Sequence, residues 1–195
     1  MKIHKYSNFA LMRLKEMARG IIIFGSAGSG KTTLGKLVAK KLDFPYFDID
    51  DYIWRKNTDK PFTLMYTYEE KINRLMTDIS KEIHFVMAGS MDSFNPPFVP
   101  LFDLAIHITA SIDTRIARIH KREYEAYGER IIEGGDMYEG HCRFLVNSAR
   151  YDIDGSPCMS THAQWANSLP CKVLRLNGDE ELNKNVEIIV HEYLK

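Results

Sequence analysis

The chain has 195 residues, of which 45% are hydrophobic and 27% charged, and these values are typical of one globular α/β domain. Lysine plus arginine and aspartate plus glutamate both number 26, so the formal net charge is zero, which argues against an extended nucleic-acid or membrane surface. The three cysteines form no closely spaced pair, and no apolar run approaches the ~20 residues that span a bilayer. We therefore expect a cytoplasmic protein with neither a nucleic-acid nor a membrane partner.

Two parts are expected along the chain: an N-terminal extension over residues 1–19 and a single domain over residues 20–195. Residues 7–18 have the loose apolar spacing of a short amphipathic helix. In the domain, apolar runs predict strands at residues 21–24, 45–47, 83–88, 104–108 and 171–176. Helical spacing predicts helices at residues 31–42, 67–82, 113–122 and 180–194. This alternation predicts an α/β fold with a five-stranded, doubly wound parallel sheet and helices on both faces.

The segment between the first strand and the first helix fits a phosphate-binding loop. Residues 25–32 read G-S-A-G-S-G-K-T, which matches G-x-x-x-x-G-K-[ST] at every fixed position. Glycines let successive backbone N–H groups surround a phosphate, and the helix that follows directs its positive end at the same anion. The residues expected to bind ATP are Gly25, Ser26, Ala27, Gly28, Ser29, Gly30, Lys31, Thr32 and Thr33. Lys31 is expected to reach the β- and γ-phosphates, and Thr32 is expected to offer its hydroxyl to Mg²⁺.

An incidental glycine turn is the alternative to a phosphate loop, but a buried strand before the motif and an amphipathic helix after it argue against that alternative. The loop alone does not separate kinases from hydrolytic NTPases. The N-K-x-D motif of GTPases is absent, and the third strand ends at Ala88-Gly89 rather than in paired acids. These absences and the small size of the domain favour a compact kinase.

Residues 25–53 resemble the opening of shikimate kinases and gluconate kinases, which belong to the wider nucleoside-monophosphate-kinase-like family of P-loop proteins. The resemblance implies a three-layer P-loop NTPase sandwich with a small helical lid, placed at about residues 123–150. In shikimate kinases the second strand ends in D-x-D, which Asp48-Ile49-Asp50 matches. The resemblance implies that Asp48 supports Mg²⁺, while Asp50 hydrogen-bonds the acceptor hydroxyl and is a candidate base. Residues two apart on a strand share a face, although a polar strand cap is the alternative.

A basic helix follows the fourth strand. Its arginines, Arg115, Arg118 and Arg122, lie at i, i+3 and i+7 and resemble the helix that carries lid arginines in this family. Arg118 and Arg122 are the favoured catalytic cations; a solvated basic helix end is the alternative. Candidates to close over phosphate from the lid are Arg130, Arg143 and Arg150. Residues 177–179 resemble the loop that borders adenine.

The acceptor side departs from the shikimate kinase pattern. Residues 66–70 lack the arginine of the F-R-x-x-E segment, and residues 88–92 keep one glycine of a triplet, so shikimate is not the expected substrate. Residues proposed for the acceptor pocket are Trp54, Arg55, Gly89, Ser90 and Asp92. A zinc site built from His141, Cys142, Cys158, His162 and Cys171 is rejected on spacing, and the cysteines are interpreted as buried thiols.

The function expected from these features is an ATP-dependent phosphotransferase that transfers the γ-phosphoryl group to a small-molecule or nucleotide acceptor, with ATP and Mg²⁺ bound. A nucleotide-binding regulatory or interaction protein, or a hydrolytic P-loop NTPase without an acceptor site, is the alternative. The sequence does not distinguish a monomer from a homodimer, and it does not identify the acceptor.

Overall fold

The computed structural model describes residues 18–195, so the helix expected at residues 7–18 lies, apart from its last residue, outside the described part of the chain. The strands there are β1 (Arg19–Gly25), β2 (Tyr46–Asp48), β3 (His84–Ala88), β4 (Phe102–Thr109) and β5 (Lys172–Asn177). The α-helices are α1 (Lys31–Leu42), α2 (Asp50–Ile53), α3 (Tyr68–Ile79), α4 (Ile112–Tyr127), α5 (Tyr138–Ala149), α6 (Met159–Ser168) and α7 (Leu182–Tyr193). Short 3-10 turns occupy Val99–Leu101, Gly128–Ile131 and Arg150–Asp152. No helix in this part of the chain combines the length and the apolar character needed to cross a membrane.

The strands form one parallel sheet in the order β2-β3-β1-β4-β5. β1 is the central strand, and its Ile23 lies opposite Ala88 of β3 and Ile106 of β4. Because every strand runs the same way, the carboxyl ends of β2, β3 and β1 lie side by side at one edge of the sheet. The fold class predicted from the sequence is therefore confirmed.

Two hydrophobic cores cover the two faces of the sheet, because successive side chains of a buried strand point in opposite directions. Ile22 and Phe24 of β1 join one core with α3 and α6, whereas Ile21 and Ile23 join the other. In the second core, α1 and α7 pack against the sheet through Leu34, Val38, Val186, Ile189 and Val190. Both cores lie beneath the carboxyl edge and hold the loops there in fixed positions.

The region in which the sequence shows no strand signal, residues 124–160, is largely helical. Helix α4 begins after Ser111, whose Oγ accepts a hydrogen bond from the Thr114 backbone N–H at 3.4 Å. It continues to Tyr127, five residues beyond the predicted end, and stops at Gly128, which has φ 55°. The turn Gly128–Ile131 and helix α5 then occupy the segment in which the resemblance implied a small helical lid.

Candidate active site

The phosphate loop joins β1 to α1 and requires glycine at its tightest points. Gly25, Gly28 and Gly30 have φ values of 146°, 75° and 98°, which side-chain-bearing residues rarely adopt. A Cβ atom on Gly25 would lie 1.9 Å from the Ile108 carbonyl oxygen, and one on Gly28 would lie 2.5 Å from that of Arg115. The fixed glycines of the motif thus reflect both backbone conformation and close packing.

Lys31 is the first residue of α1, and its side chain folds back over the loop. Its Nζ donates a hydrogen bond to the Ser26 carbonyl oxygen at 2.6 Å. Burial lowers the pKa of Lys31 to about 8, while the negative charges of Asp50, Asp48 and Asp92 act in the opposite direction. The first turn of α1 carries no acidic side chain, so the positive helix end is available to an anion.

The lowered pKa of Lys31 predicts that ATP affinity decreases as the pH rises above about 8. The group is charged below that pKa and neutral above it, and a bound triphosphate raises the pKa again because it stabilises the charged form. Binding near pH 8 should therefore take up a proton, which calorimetry in two buffers of different ionisation enthalpy measures. Lys31→Ala should bind more weakly at every pH and should lack this proton uptake. The same proton uptake in both proteins would contradict the assignment.

Asp48 and Asp50 lie together, but not for the reason inferred from the sequence. β2 ends at Asp48 and Asp50 begins α2, so the two residues do not share a strand face, and that part of the prediction is wrong. The chain turns at Ile49, which has helical angles and whose N–H donates to the Ala88 carbonyl at 2.9 Å. The turn is closed by the Asp50 N–H, which donates to Asp48 Oδ1 at 3.2 Å.

The electrostatic surroundings of the Asp48 and Asp50 carboxylates differ. Burial, followed by the negative charge of Asp48, raises the pKa of Asp50 above its ordinary value, and the charges of Lys31 and Arg122 counteract that rise. Asp48 Oδ2 accepts a hydrogen bond from the Tyr46 hydroxyl at 3.3 Å. A carboxyl group whose pKa is raised beside a lysine is a candidate for proton transfer.

The residues predicted to support Mg²⁺ meet through Tyr46. Burial and the Asp48 carboxylate raise the pKa of the Tyr46 hydroxyl, which also hydrogen-bonds the Thr32 side chain. Thr32 therefore brings a hydroxyl oxygen and Asp48 a carboxylate oxygen to the same phenol, beside the phosphate loop. Oxygen ligands are those that Mg²⁺ prefers, so this donor set fits the ion.

Arg118 and Arg122 of α4 lie near the phosphate loop and Asp50, and the region between these residues is here named the cleft. Arg118 Nη1 donates to the Gly28 carbonyl at 3.4 Å, and its Nη2 donates to the Gly178 carbonyl at 3.1 Å, so the guanidinium spans the phosphate loop and the loop after β5. Arg122 lies 3.6 Å from Glu123, and its positive charge acts on both Lys31 and Asp50. Both arginines are exposed.

Arg115, by contrast, is a buried structural residue. Its side chain is fully buried, and its Nε and Nη1 donate to the carbonyls of Ala110 at 3.0 Å and Ser148 at 2.7 Å. Its Nη2 forms an ion pair with Asp152. The regularly spaced arginines of α4 therefore differ, because Arg115 is buried against Ser148 and Asp152, whereas Arg118 and Arg122 are exposed.

Arg115→Met is expected to lower the free energy of unfolding by about 3 kcal/mol, because it leaves Asp152 and two carbonyl groups without their partner. Arg118→Met, one turn away and exposed, should change stability by less than about 0.5 kcal/mol. Urea unfolding of both variants measures the difference. Equal stability of the two variants would show that the Arg115 network contributes nothing.

The lid arginines considered from the sequence have different surroundings. Arg130 donates from Nε and Nη2 to the two oxygens of Asp136, each at 2.9 Å, and this pairing holds the pKa of Asp136 down at about 2. Arg150 pairs with Asp154. Arg143 is exposed on α5 and has no ion pair within residues 18–195. None of the three contacts the phosphate loop in this conformation of the described chain.

The loop at residues 177–179 packs directly on the phosphate loop. A Cβ on Gly178 would lie 2.2 Å from the Ser29 carbonyl oxygen, so only glycine fits there. Asp179 Oδ2 accepts a hydrogen bond from the Ser111 backbone N–H at 2.8 Å, which fixes the loop to the start of α4. Backbone groups therefore border the region beside the loop, where the resemblance placed adenine.

The residues proposed for the acceptor pocket fall into two groups. Trp54 follows α2, where it packs edge-on against Phe62, and Arg55 donates to both carboxylate oxygens of Glu70 at 2.7 and 2.8 Å. Ser90 and Asp92 follow β3 at the carboxyl edge, each 3.4 Å from Nε2 of the buried His162. Gly89 has φ 140°, and a Cβ there would lie 2.5 Å from Cβ of Ile49.

The side chains considered as zinc ligands do not converge on one point. Nε2 of His141 lies 2.9 Å from Nδ1 of His120, and its Nδ1 lies 2.6 Å from Oε2 of Glu123. His162 lies elsewhere, beside Ser90 and Asp92. All three cysteines, which lie within the described chain, are free. Only Cys158 is buried, so the interpretation of all three as buried thiols is wrong for Cys142 and Cys171, which are partly exposed.

The chain is similar to several known proteins. Residues 21–139 match the family model described as AAA domain. The uncharacterized protein YqaC of Bacillus subtilis (strain 168) is 30% identical over 180 residues, which cover 91% of this chain and 98% of that protein. A cytidylate kinase of Sulfurisphaera tokodaii is 25% identical over 143 residues, covering 69% of this chain and 78% of that protein.

A comparison with solved structures shows a similar fold. The crystal structure of a shikimate kinase from Bacteroides thetaiotaomicron superposes with a TM-score of 0.53 at 19% identity, covering 91% of this chain and 99% of that one. At that identity the likeness concerns the fold alone. Together with the phosphate loop and the sheet order, the family match shows that the chain belongs to the AAA domain family and to the nucleoside-monophosphate-kinase-like P-loop proteins.

Proposed function

We propose that the protein is an ATP-dependent phosphotransferase that transfers the γ-phosphoryl group to a hydroxyl or phosphate oxygen of a small-molecule or nucleotide acceptor. One observation carries the proposal: Lys31 of the phosphate loop lies near Asp50 and Arg122, whose charges both act on it, and the charges of Lys31 and Arg122 act in turn on Asp50. The kinase relatives are consistent with this chemistry.

The phosphate loop and α1 bind the triphosphate. The backbone N–H groups of residues 25–33 surround the β-phosphate, and Lys31 exchanges its Ser26 carbonyl for phosphate oxygens. Arg118 and Arg122 stabilise the negative charge that spreads over the γ-phosphoryl oxygens in the transition state. Thr32 and Asp48 would hold Mg²⁺, which when bound supplies further neutralisation of phosphate charge.

Asp50 orients the acceptor for transfer. Its carboxylate accepts a hydrogen bond from the acceptor hydroxyl and takes the proton as the new oxygen–phosphorus bond forms. The bond between the γ-phosphorus and the β,γ-bridging oxygen breaks, ADP leaves with that electron pair, and the proton passes from Asp50 to solvent. The raised pKa of Asp50 suits a group that must hold a proton briefly.

ADP formation from ATP over a panel of nucleosides, nucleoside monophosphates, sugars, polyols and hydroxy acids tests this proposal. At least one acceptor should raise ADP formation well above the acceptor-free rate, and Lys31→Ala should abolish that increase. Slow hydrolysis that no acceptor changes would support a hydrolytic NTPase instead. Tight ATP binding with no turnover would support a regulatory protein.

A further inference from the structure

A chain of hydrogen bonds leads from the cleft into the protein interior, and the phosphotransferase mechanism uses none of it. Nε2 of His162 lies 3.4 Å from Asp92 Oδ1 and 3.4 Å from Ser90 Oγ. Its Nδ1 lies 2.9 Å from the Tyr151 hydroxyl, which lies 3.0 Å from Nε2 of His107. These five residues, here named the His162 relay, come from four separate parts of the chain.

The relay is buried at one end and open at the other. His162, Tyr151 and His107 are 0%, 3% and 4% exposed, whereas the Asp92 side chain is 46% exposed. Phe24 stacks on the His107 ring at 5.0 Å and meets the His162 ring edge-on at 5.5 Å. Polar groups in such an apolar setting are costly unless every one is hydrogen-bonded, so the relay has a defined geometry.

The hydrogen positions in the relay follow from its chemistry. Burial, followed by the charge of His162, lowers the pKa of His107 to about 4, and burial raises the pKa of Tyr151, so near neutral pH both are uncharged. Nε2 of His162 hydrogen-bonds Ser90 Oγ and lies 3.4 Å from Asp92 Oδ1, and because a carboxylate only accepts hydrogen bonds, we assign the ring hydrogen to Nε2. The Tyr151 hydroxyl then donates to His162 Nδ1 and accepts from Nε2 of His107. In this arrangement both ring nitrogens of His162 and the Tyr151 hydroxyl have a partner.

Asp92 lies where an acceptor must bind. In the sheet order, β3 stands between β2, which leads to Asp50, and β1, which leads to the phosphate loop. Asp92 follows β3 at the same edge, and its charge is among those that raise the pKa of Lys31. His162 contacts only Oδ1 of the Asp92 carboxylate and the side chain is 46% exposed, so the carboxylate can accept further hydrogen bonds.

The cations on the acceptor side are already engaged. Arg55 donates to both oxygens of Glu70, and its guanidinium lies 4.5 Å from the centre of the Tyr66 ring. Arg74 lies over the same ring at 4.3 Å. A carboxylate that an acceptor placed against Asp92 would meet a like charge, which makes an anionic group unfavourable at this position.

We propose that Asp92, oriented by His162, binds the acceptor by accepting a hydrogen bond from a second hydroxyl or amino group, so that the enzyme selects polyhydroxylated or amino-bearing acceptors. Asp92 contacts substrate, whereas His162 and Tyr151 are positioning residues. An acceptor that places a carboxylate or phosphate against Asp92 is rejected. This inference rests on the proposed function, because it names the chemistry of the acceptor in the same cleft.

Asp92→Asn tests the contact with matched acceptors: nucleosides against 2′- and 3′-deoxynucleosides, and neutral sugars against the corresponding deoxy sugars and sugar acids. For an acceptor that wild type phosphorylates, the substitution should lower kcat/KM by about 10- to 100-fold, with the KM for ATP unchanged. The analogue that lacks the bonded hydroxyl should be poor with wild type and almost unaffected by the substitution. Asp103→Asn is the control, because Asp103 pairs with Arg19 at the opposite edge of the sheet.

The positioning role of His162 has a separate test. His162→Gln keeps an N–H donor toward Asp92 and should retain most activity, whereas His162→Leu should lose as much as Asp92→Asn. The double variant should be no worse than either single variant, because both act through one contact. Nitrogen-15 NMR of wild type should show the hydrogen of His162 on Nε2. Additive losses in the double variant, or a hydrogen on Nδ1, would overturn the role of His162.

The outcomes separate this inference from the function on which it rests. Transfer that Asp92→Asn leaves unchanged, or a sugar acid phosphorylated better than its neutral parent through this contact, removes the acceptor inference and leaves the phosphotransferase intact. If wild type transfers phosphate to no compound of the panel, the proposed function fails and the inference fails with it.

Discussion

Lys31→Ala is expected to lower the rate of phosphoryl transfer by about 10³-fold or more, because it removes the cation nearest the β- and γ-phosphates from a desolvated site. The three glycines should still impose the loop conformation in this variant, although the hydrogen bond from Lys31 to the Ser26 carbonyl is lost. ATP affinity should also fall, but less than turnover, because the backbone N–H groups still bind phosphate. Single-turnover rates and direct ATP titration measure the two effects separately.

Lys40→Ala is the matched control for this substitution. Lys40 lies in the last turn of the same helix and is exposed, at the end remote from the phosphate loop. It should leave both transfer and ATP affinity within about twofold of wild type, since an exposed charge in high dielectric interacts weakly. Activity of Lys31→Ala that stays within a few-fold of this control would refute the proposed mechanism.

Asp50→Asn is expected to reduce turnover by about 10²- to 10³-fold while changing ATP affinity by less than about threefold. The amide keeps the shape of the side chain but cannot accept the acceptor's proton. In wild type the rate should fall as the pH drops through the raised pKa of Asp50, because the carboxylate form is the active one above that pKa. The variant should lack this acid limb, which a pH profile of kcat shows.

Asp51→Asn controls for charge in the same helix. Asp51 is the next residue of α2, is exposed, and pairs with Lys56 at 2.8 Å rather than facing the phosphate loop. It should leave turnover nearly unchanged. Equal losses of turnover and ATP affinity in Asp50→Asn would remove Asp50 from the acceptor role and assign it to nucleotide binding.

The sheet could be predicted from the sequence because its strands are buried. The apolar run at residues 21–24 has no polar face, which is typical of a central parallel strand, and the helix at Lys31–Leu42 was predicted with its observed bounds. Residues 124–160 were harder, because α5 buries His141 and Ser148 instead of an apolar stripe. A helix that buries polar groups leaves little hydrophobic periodicity to detect.

The phosphate loop could be predicted because its chemistry fixes residue types at fixed spacing. The sequence predicted that Asp48 and Asp50 lie close together, but it wrongly placed both on one strand. A strand pattern in the sequence does not show where the strand ends. The turn at Ile49 depends on a hydrogen bond to Ala88, about forty positions along the chain. The residues that neighbour Ile49 in the sequence do not indicate this hydrogen bond.

The His162 relay lay beyond sequence analysis for the same reason. From the sequence, His162 was weighed as a zinc ligand and rejected on spacing, whereas the structure connects it to Ser90, Tyr151 and, through Tyr151, His107. Its members are separated by as many as 72 positions. Similarly, regular spacing grouped Arg115 with Arg118, although only the tertiary fold shows that the first is buried against Asp152.

Phosphorus-31 NMR of the protein with MgATP and each acceptor of the panel tests the central claim most directly, because it detects both products of transfer in one sample. We expect ADP and a new phosphoryl ester or anhydride to form in equal amounts with at least one acceptor. We expect neither product to form with Lys31→Ala. ADP accompanied only by inorganic phosphate, with every acceptor unchanged, would contradict phosphoryl transfer by this cleft.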